Sequence, residues 1–304
     1  MTRRLRLTLR LLVIAAIAAA LWWFVRKLDI AALGRAFASA RVWPLVVAST
    51  LNFAIMWGKA AAWRLMLAPR HVVRVGRLFR YTIAAYATSA IMPARAGEVV
   101  RVWALERRDG VPVADTAAVA VAEKLLDGIS MLILVAPLPW VLPELPGWVG
   151  GSIAVCSAIA VLALVAAWIG VGRVDPATTR WIGRFIAGMH ALRNGKRLLG
   201  ALAALLFTWL VDLAMMMLVM HAIGIEPTIA MGLLTLFTIN LTIMVPSTPA
   251  QVGALEVGAL AGLDLLHVPH EPALAFALLY HAIQFVPVVT AGLVLELPLM
   301  FKRD

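Results

Sequence analysis

Long apolar runs separated by short polar stretches dominate this chain, and their lengths decide its class. A helix that crosses a bilayer needs about 20 mostly apolar residues. Runs near that size lie at residues 9–25, 42–63, 119–142, 152–172, 199–223 and 272–300. Two further runs, 78–92 and 228–245, are short or interrupted, and each leads through a Pro/Gly-rich stretch into a second half-length apolar segment. The pattern predicts an all-α, polytopic membrane helix bundle with about six full spans plus two re-entrant helical hairpins.

Composition agrees with the pattern. The 304 residues are 63% hydrophobic and 14% charged, with a mean hydropathy of +0.93, against about 45–50% apolar and about 25% charged in soluble domains. The net charge of +11 sits in patches between apolar runs, as in loops facing the cytoplasm, so nucleic acid is not an expected partner. Arg3, Arg4, Arg6 and Arg10 precede the first run, and no small-residue cleavage site follows it; Trp22, Trp23, Arg26 and Lys27 come next. That predicts a retained helix, not a signal peptide. No lysine or arginine occurs from Leu198 through Phe301, which places both termini in the cytoplasm; the loop holding Arg26, Lys27, Arg35 and Arg41 is the exception. Cys156 is alone, so no disulfide forms within the chain and thiolate metal chemistry has no support.

In this topology the break near Pro93 enters from the cytoplasmic side and the break near Pro249 from the opposite side. The two regions also match in sequence. PARAG at 93–97 falls on PAQVG at 249–253 with an offset of 156, and GVP at 110–112 falls on HVP at 267–269 with an offset of 157. Continued at 157, Glu123, Lys124 and Asp127 lie over Tyr280, His281 and Gln284. An inverted-topology repeat is expected within a single domain of residues 1–304. Its halves span about 42–142 and 199–300, as in secondary transporters with broken helices. Residues 173–198 between them read as an amphipathic connector on the inner membrane surface.

The candidate chemistry lies at the breaks. IMPARAGEVVR at 91–101 puts Arg95, Glu98 and Arg101 beside a Pro/Gly interruption. Irregular backbone survives at membrane depth only where protein or a watery cavity surrounds it, and arginine's fork matches phosphate oxygens. Arg95 and Arg101 read either as phosphate ligands or as headgroup anchors that fix topology. Glu98 has no topological role and points to an ion-paired site. In AVAEKLLDGISMLIL at 120–134, Glu123 and Asp127 share a helix face and Lys124 precedes Asp127 by three. Ionisable groups within a span cost at least about 2.5–3.5 kcal/mol each and usually face a bundle interior or a wet cavity. They form either a structural ion-pair network or a headgroup site. Asn52 and Lys59 in the second span, seven apart, read as facing one cavity, or Lys59 as snorkelling to the interface; Glu256, His281 and Gln284 in the second half are polar groups at membrane depth, and Asp212 in the fifth span is a candidate partner for any of these. His281 reads as a packing histidine or as a proton-coupling one. His267 and His270 lack a further ligand pattern, and no metal site or cofactor is expected.

YATSAIMPARAGEVVRVWALERRDGVPVADTAAVAVAEKLLDG, followed later by VPSTPAQVGALEVGAL and ALLYHAIQFVPVVTAGLVL, resembles the flippase-like membrane domain of lysylphosphatidylglycerol synthases and their stand-alone relatives. Gly97, Glu98 and Arg101 fit its first element. Glu123 and Asp127 fit the second with Lys124 in place of arginine, and Gly253 and Glu256 fit the third. Ala94 and Ala250 stand where the family often has glycine, and His281 where arginine is usual, which weakens a second-half phosphate contact. The resemblance covers about residues 10–300. No counterpart of the soluble aminoacyl-transferase domain is present, so lysine transfer is not expected of this chain.

These readings lead to one expectation: a bacterial inner-membrane lipid transporter that takes a phospholipid or other phosphate-bearing amphiphile into a polar pocket between inverted halves. Arg95 and Arg101 would hold phosphate, with Glu98, Glu123, Lys124 and Asp127, and in the second half Glu256, His281 and Gln284, as balancing groups. There is no Walker-type glycine loop for ATP. The alternative is an intramembrane enzyme, or an accessory subunit, acting on lipid-linked phosphate or sugar intermediates, with Glu123 or Asp127 as base. Neither a metal-ligand cluster nor a nucleophile beside a base supports the enzyme. Membrane lipids are the expected partners; a lipid-biosynthesis enzyme and a second copy of the chain are compatible with either role.

Overall fold

The computed structural model describes residues 40–68, 70–91, 97–173, 181–244 and 249–295, together with 31, 34, 35 and 38. The first predicted span, Arg95 with its neighbours Pro93 and Ala94, and residues 296–300 lie outside the described residues. Those described are helical and contain no strand. In chain order the α-helices are α1 (Val42–Leu67), α2 (Val75–Ile91), α3 (Gly97–Asp109), α4 (Val113–Val135), α5 (Leu138–Val141), α6 (Gly147–Arg173), α7 (Trp181–Gly188), α8 (Gly195–Ala222), α9 (Ile229–Ile243), α10 (Ala254–Asp264) and α11 (His270–Leu295). Four of them, α1, α6, α8 and α11, are long and apolar enough to cross a membrane. With Trp43, Trp140 and Trp148 exposed at helix ends, where interfacial tryptophans sit, the chain is a multi-pass membrane protein.

The run predicted at 119–142 is divided. It begins earlier, at Val113, and α4 closes at Val135, because Pro137 and Pro139 bring no N–H to the helical ladder. Pro287, by contrast, lies inside α11. It deprives the Ile283 carbonyl of its donor one turn on, and the Asn52 side chain of α1 donates to that carbonyl instead, at 2.5 Å.

The centre of the bundle is the antiparallel pair α1 and α8. Arg41 N–H donates to Ala222 O at 2.8 Å at one end, and Gly58 lies against Ala204 and Thr208 further along. Around this pair, α2 and α3 form one helical hairpin. Gly97 N–H donates to Ser89 Oγ at 3.1 Å near the tip, while Asp109 accepts from Tyr81 at 2.9 Å and pairs with Arg77 at the base. A second hairpin pairs α9 with α10, with Gly258 and Gly262 lying on the backbone of Ile239 and Thr235. The three-residue spacing of small residues lets the two helix backbones approach without obstruction. Inside a membrane, association rests on such close packing because lipid tails are as apolar as the partner helix.

The helix packing shows a reciprocal exchange. α1 packs on α11 and α8 on α4; α2 contacts α11 and α9 contacts α4. A pair of hydrogen bonds follows the same exchange. Asn52 of α1 donates to Ile283 O of α11, and Trp209 of α8, which lies 157 residues after Asn52, donates to Asp127 O of α4 at 2.9 Å. The connector, α7 with the 3-10 turn Met189–Arg193, docks onto α4. Gly188 lies against Ala118 and Asp115, and His190 Nε2 lies 3.0 Å from Ala68 O.

The Gly97 contact generates a test. A Cβ there falls 1.7 Å from Ala85 O, whereas one on Gly128 meets nothing within 4 Å. Gly97→Ala should lower the melting temperature in detergent, at a cost of about 1–3 kcal/mol. Gly128→Ala should leave it unchanged or raise it slightly.

Candidate functional site

The first hairpin presents its second helix to α4, and α1 closes over both, so four ionisable side chains meet, with Arg101, Glu123 and Lys59 buried and Asp127 partly exposed. Glu123 of α4 is completely buried. Its Oε2 accepts from Trp63 Nε1 of α1 at 2.6 Å and from Arg101 Nη1 of α3 at 3.0 Å. The Arg101 guanidinium also lies over the Trp63 ring, 4.5 Å from its centroid, and this cation–π contact offsets part of its desolvation. One turn along α4, Asp127 Oδ2 accepts from Lys59 Nζ at 3.0 Å, and the same ammonium lies 3.9 Å from Glu123 Oε1. Glu123 and Asp127 thus share the face their spacing predicts. Lys124 points elsewhere and meets Glu98 of α3 at 2.9 Å on a half-exposed rim.

The pairs leave valences unfilled. Among the described residues, Arg101 Nε and Nη2, Glu123 Oε1, Asp127 Oδ1 and Glu98 Oε2 are buried without a hydrogen-bond partner. Buried polar atoms in native structures are nearly always satisfied, and exceptions mark sites that need an explanation. For Arg101 the pattern is specific. Nη1 is committed to Glu123, and the adjacent Nε–Nη2 edge is the side of the guanidinium that grips an oxyanion with two parallel N–H donors.

The second half carries a related but distinct group. His281 of α11 pairs with Glu256 of α10 through its Nδ1, the counterpart of the Lys124–Glu98 pair. Glu256 Oε2 also accepts from Gly253 N–H at 2.7 Å, and Gly253 has the positive φ of 88° that a glycine supplies without strain. Ala250 and Gln251, beside it at the hairpin tip, take left-handed φ values of 52° and 63°, a strained arrangement of the kind concentrated at functional sites. The 3-10 turn Pro249–Gln251 at that tip packs against α2, so the second hairpin reaches the first. Gln284 joins neither pair; its Nε2 donates to the Tyr280 hydroxyl at 3.1 Å.

The predicted residues therefore divide into three places. Arg101, Glu123 and Asp127 are together; Glu98 and Lys124 form the adjoining rim; Glu256 and His281 sit at the second hairpin. Arg95 lies outside the described residues. Trp63 and the depth of Lys59 escape sequence reasoning. Trp63 is one turn beyond Lys59 on α1, and that spacing is the signal that links them. No group of three or more histidine, cysteine, aspartate or glutamate side chains suited to a metal occurs among the described residues.

The family model described as the lysylphosphatidylglycerol synthase TM region matches residues 8–292 of this chain. No curated protein matches it.

The buried pair and the rim pair should respond differently to neutralisation. Glu123→Gln strands Arg101 in the interior and should cost about 3–5 kcal/mol. Lys124→Gln, on a side chain 41% exposed, should cost less than about 1 kcal/mol. Thermal unfolding in one detergent measures both; equal losses would contradict the assignment of core and rim.

Proposed function

The chain belongs to the family of the lysylphosphatidylglycerol synthase TM region, and on that premise we propose that it is a lipid transporter, not an enzyme. In this reading it accepts the phosphate-bearing headgroup of a membrane amphiphile between its two hairpins while the tails stay in lipid. The observation that carries the proposal is the Nε–Nη2 edge of Arg101, which is buried beside Glu123 and has no hydrogen-bond partner among the described residues. A guanidinium edge held by an opposite carboxylate and shielded by Trp63 is preorganised for a phosphate oxyanion. Arg95, between α2 and α3 in the sequence, would supply a second charge to that phosphate.

The hairpins α2–α3 and α9–α10 are read as re-entrant, one from each side of a bacterial inner membrane. α4 and the apolar run 9–25 join the four long helices to give about six spans, with both termini cytoplasmic. Reciprocal packing of α1 on α11 and α8 on α4, and the matched bonds of Asn52 and Trp209, support an inverted repeat whose interface forms the pocket. The Arg101–Glu123 and Lys59–Asp127 pairs lie within the first half, where they brace α1, α3 and α4 beside that interface. Membrane lipids are the ligands; a lipid-biosynthesis enzyme or a second copy are the protein partners to be sought.

Fluorescent-phospholipid movement between leaflets of reconstituted liposomes tests the proposal. Wild type should exceed Arg101→Met by about a hundred-fold or more, the effect of two lost charge-assisted hydrogen bonds at about 1.5–3 kcal/mol each. Arg101→Lys, which keeps the charge without the fork, should remain impaired. Mass spectrometry of the lipids after incubation should find them chemically unchanged. Wild type no faster than Arg95→Ala or Glu123→Ala would remove the transport reading, and a converted lipid would replace it with an enzyme.

A further inference from the structure

Beyond the phosphate site lies a carboxylate that the transport reading does not use. Asp212, at mid-length on α8, is 92% buried by its 8% exposure. Its Oδ1 accepts from the Tyr280 hydroxyl at 2.7 Å, and that hydroxyl in turn receives the Gln284 amide, so the tyrosine's own proton is directed at Asp212. Among the described residues no cation stands within ion-pair distance of it.

The groups that face Asp212 come from each helix packed on α8. α1 supplies Lys59, α4 supplies Asp127 and α11 supplies Tyr280, while α9 carries no titratable side chain. Gly58 of α1 lies against Thr208, and Trp209 Nε1 donates to Asp127 O of α4, which sets Lys59 and Asp127 about one turn of α8 from Asp212. His190 and Arg193 of the 3-10 turn meet the start of α8, about 25 Å away along the helix axis. In this structure the Lys59 ammonium is paired with Asp127, a carboxylate 15% exposed, and not with Asp212.

We propose that Asp212 is a proton-binding site and that Asp212, Lys59 and Asp127 form a proton relay across the interface between the halves. A buried carboxylate without a cation is tolerated as the neutral acid. With Lys59 on Asp127, the proton resides on Asp212. When Lys59 turns to Asp212, the O–H bond of that carboxyl breaks and its electron pair stays on the carboxylate; the proton passes through water to Asp127, forming a new O–H bond there. Coupling this exchange to headgroup movement rests on the transport reading; the proton site itself does not.

Two measurements on the full chain in phosphatidylcholine–phosphatidylglycerol vesicles test the relay. Infrared spectroscopy should show the carbonyl stretch of a protonated carboxyl in wild type and in Asp127→Asn, absent in Asp212→Asn and shifted in Tyr280→Phe, which loses the hydrogen bond. Movement of a fluorescent phosphatidylglycerol should respond to an imposed gradient of one pH unit by up to about ten-fold in wild type and in Asp212→Glu, and not at all in Asp212→Asn. A carboxyl band or a gradient response that survives in Asp212→Asn overturns the proposal. Wild-type lipid movement with no gradient response and no such band also overturns it, while leaving transport intact. A band lost only in Asp212→Asn, with no lipid movement by any variant, supports the proton site and removes the transport reading.

Discussion

Glu123 meeting Arg101 beneath Trp63 is the contact on which the architecture around it depends. Three helices from separate parts of the chain, α1, α3 and α4, each contribute one member. Neither the Glu123 nor the Arg101 charge is tolerable alone at that depth, because an unpaired buried charge costs several kcal/mol. The pair therefore specifies where the first hairpin must dock: α3 cannot slide or rotate without stranding Arg101. Packing would permit many registers among helices this rich in alanine and leucine. The ionic cluster selects one, and Gly97 allows the approach that brings Arg101 into place.

The same cluster is incomplete as a purely structural device. A network kept only for stability would be expected to fill its own valences, since an apolar replacement is often as stable as a buried ion pair. Here both signs of valence remain open, on Arg101, Glu123 and Asp127. This combination suits a site whose partners change during a working cycle. Lys59, reaching both Asp127 and Glu123, is placed to follow such a change. A second polar group, the His281–Glu256 pair and the Tyr280–Asp212 hydrogen bond, is carried by α8, α10 and α11.

Much of this frame is legible in the sequence. Broken apolar runs around Pro93 and Pro249 mark the hairpins, and the four-residue spacing of Glu123 and Asp127 places them on one face before any coordinates are known. The residues that stay hidden do so for physical reasons. Trp63 reads as one more apolar residue in a membrane helix, and only its neighbours reveal the indole N–H as a donor. Lys59 has a long stem that would equally let it reach the interface, so its inward course depends on Asp127. Lys124 reads as part of the buried trio but lies on the rim, because a one-residue step from Glu123 turns a side chain about 100° around the helix. The Asn52 bond to Ile283 depends on Pro287, 235 positions later in the chain. Such a pairing of a missing donor with a distant side chain becomes visible only when the helices are placed side by side.

The central claim is that the Nε–Nη2 edge of Arg101 holds a lipid phosphate inside the bundle. Solid-state NMR of the protein in phospholipid bilayers, with guanidinium nitrogens labelled and their signals dephased by lipid phosphorus, addresses it directly. The account predicts a dephased guanidinium signal that disappears in Arg101→Lys and persists when the surface arginines Arg107 and Arg108 are replaced. A spectrum in which Arg101 is resolved and untouched by phosphorus, with or without added lipid, would contradict it.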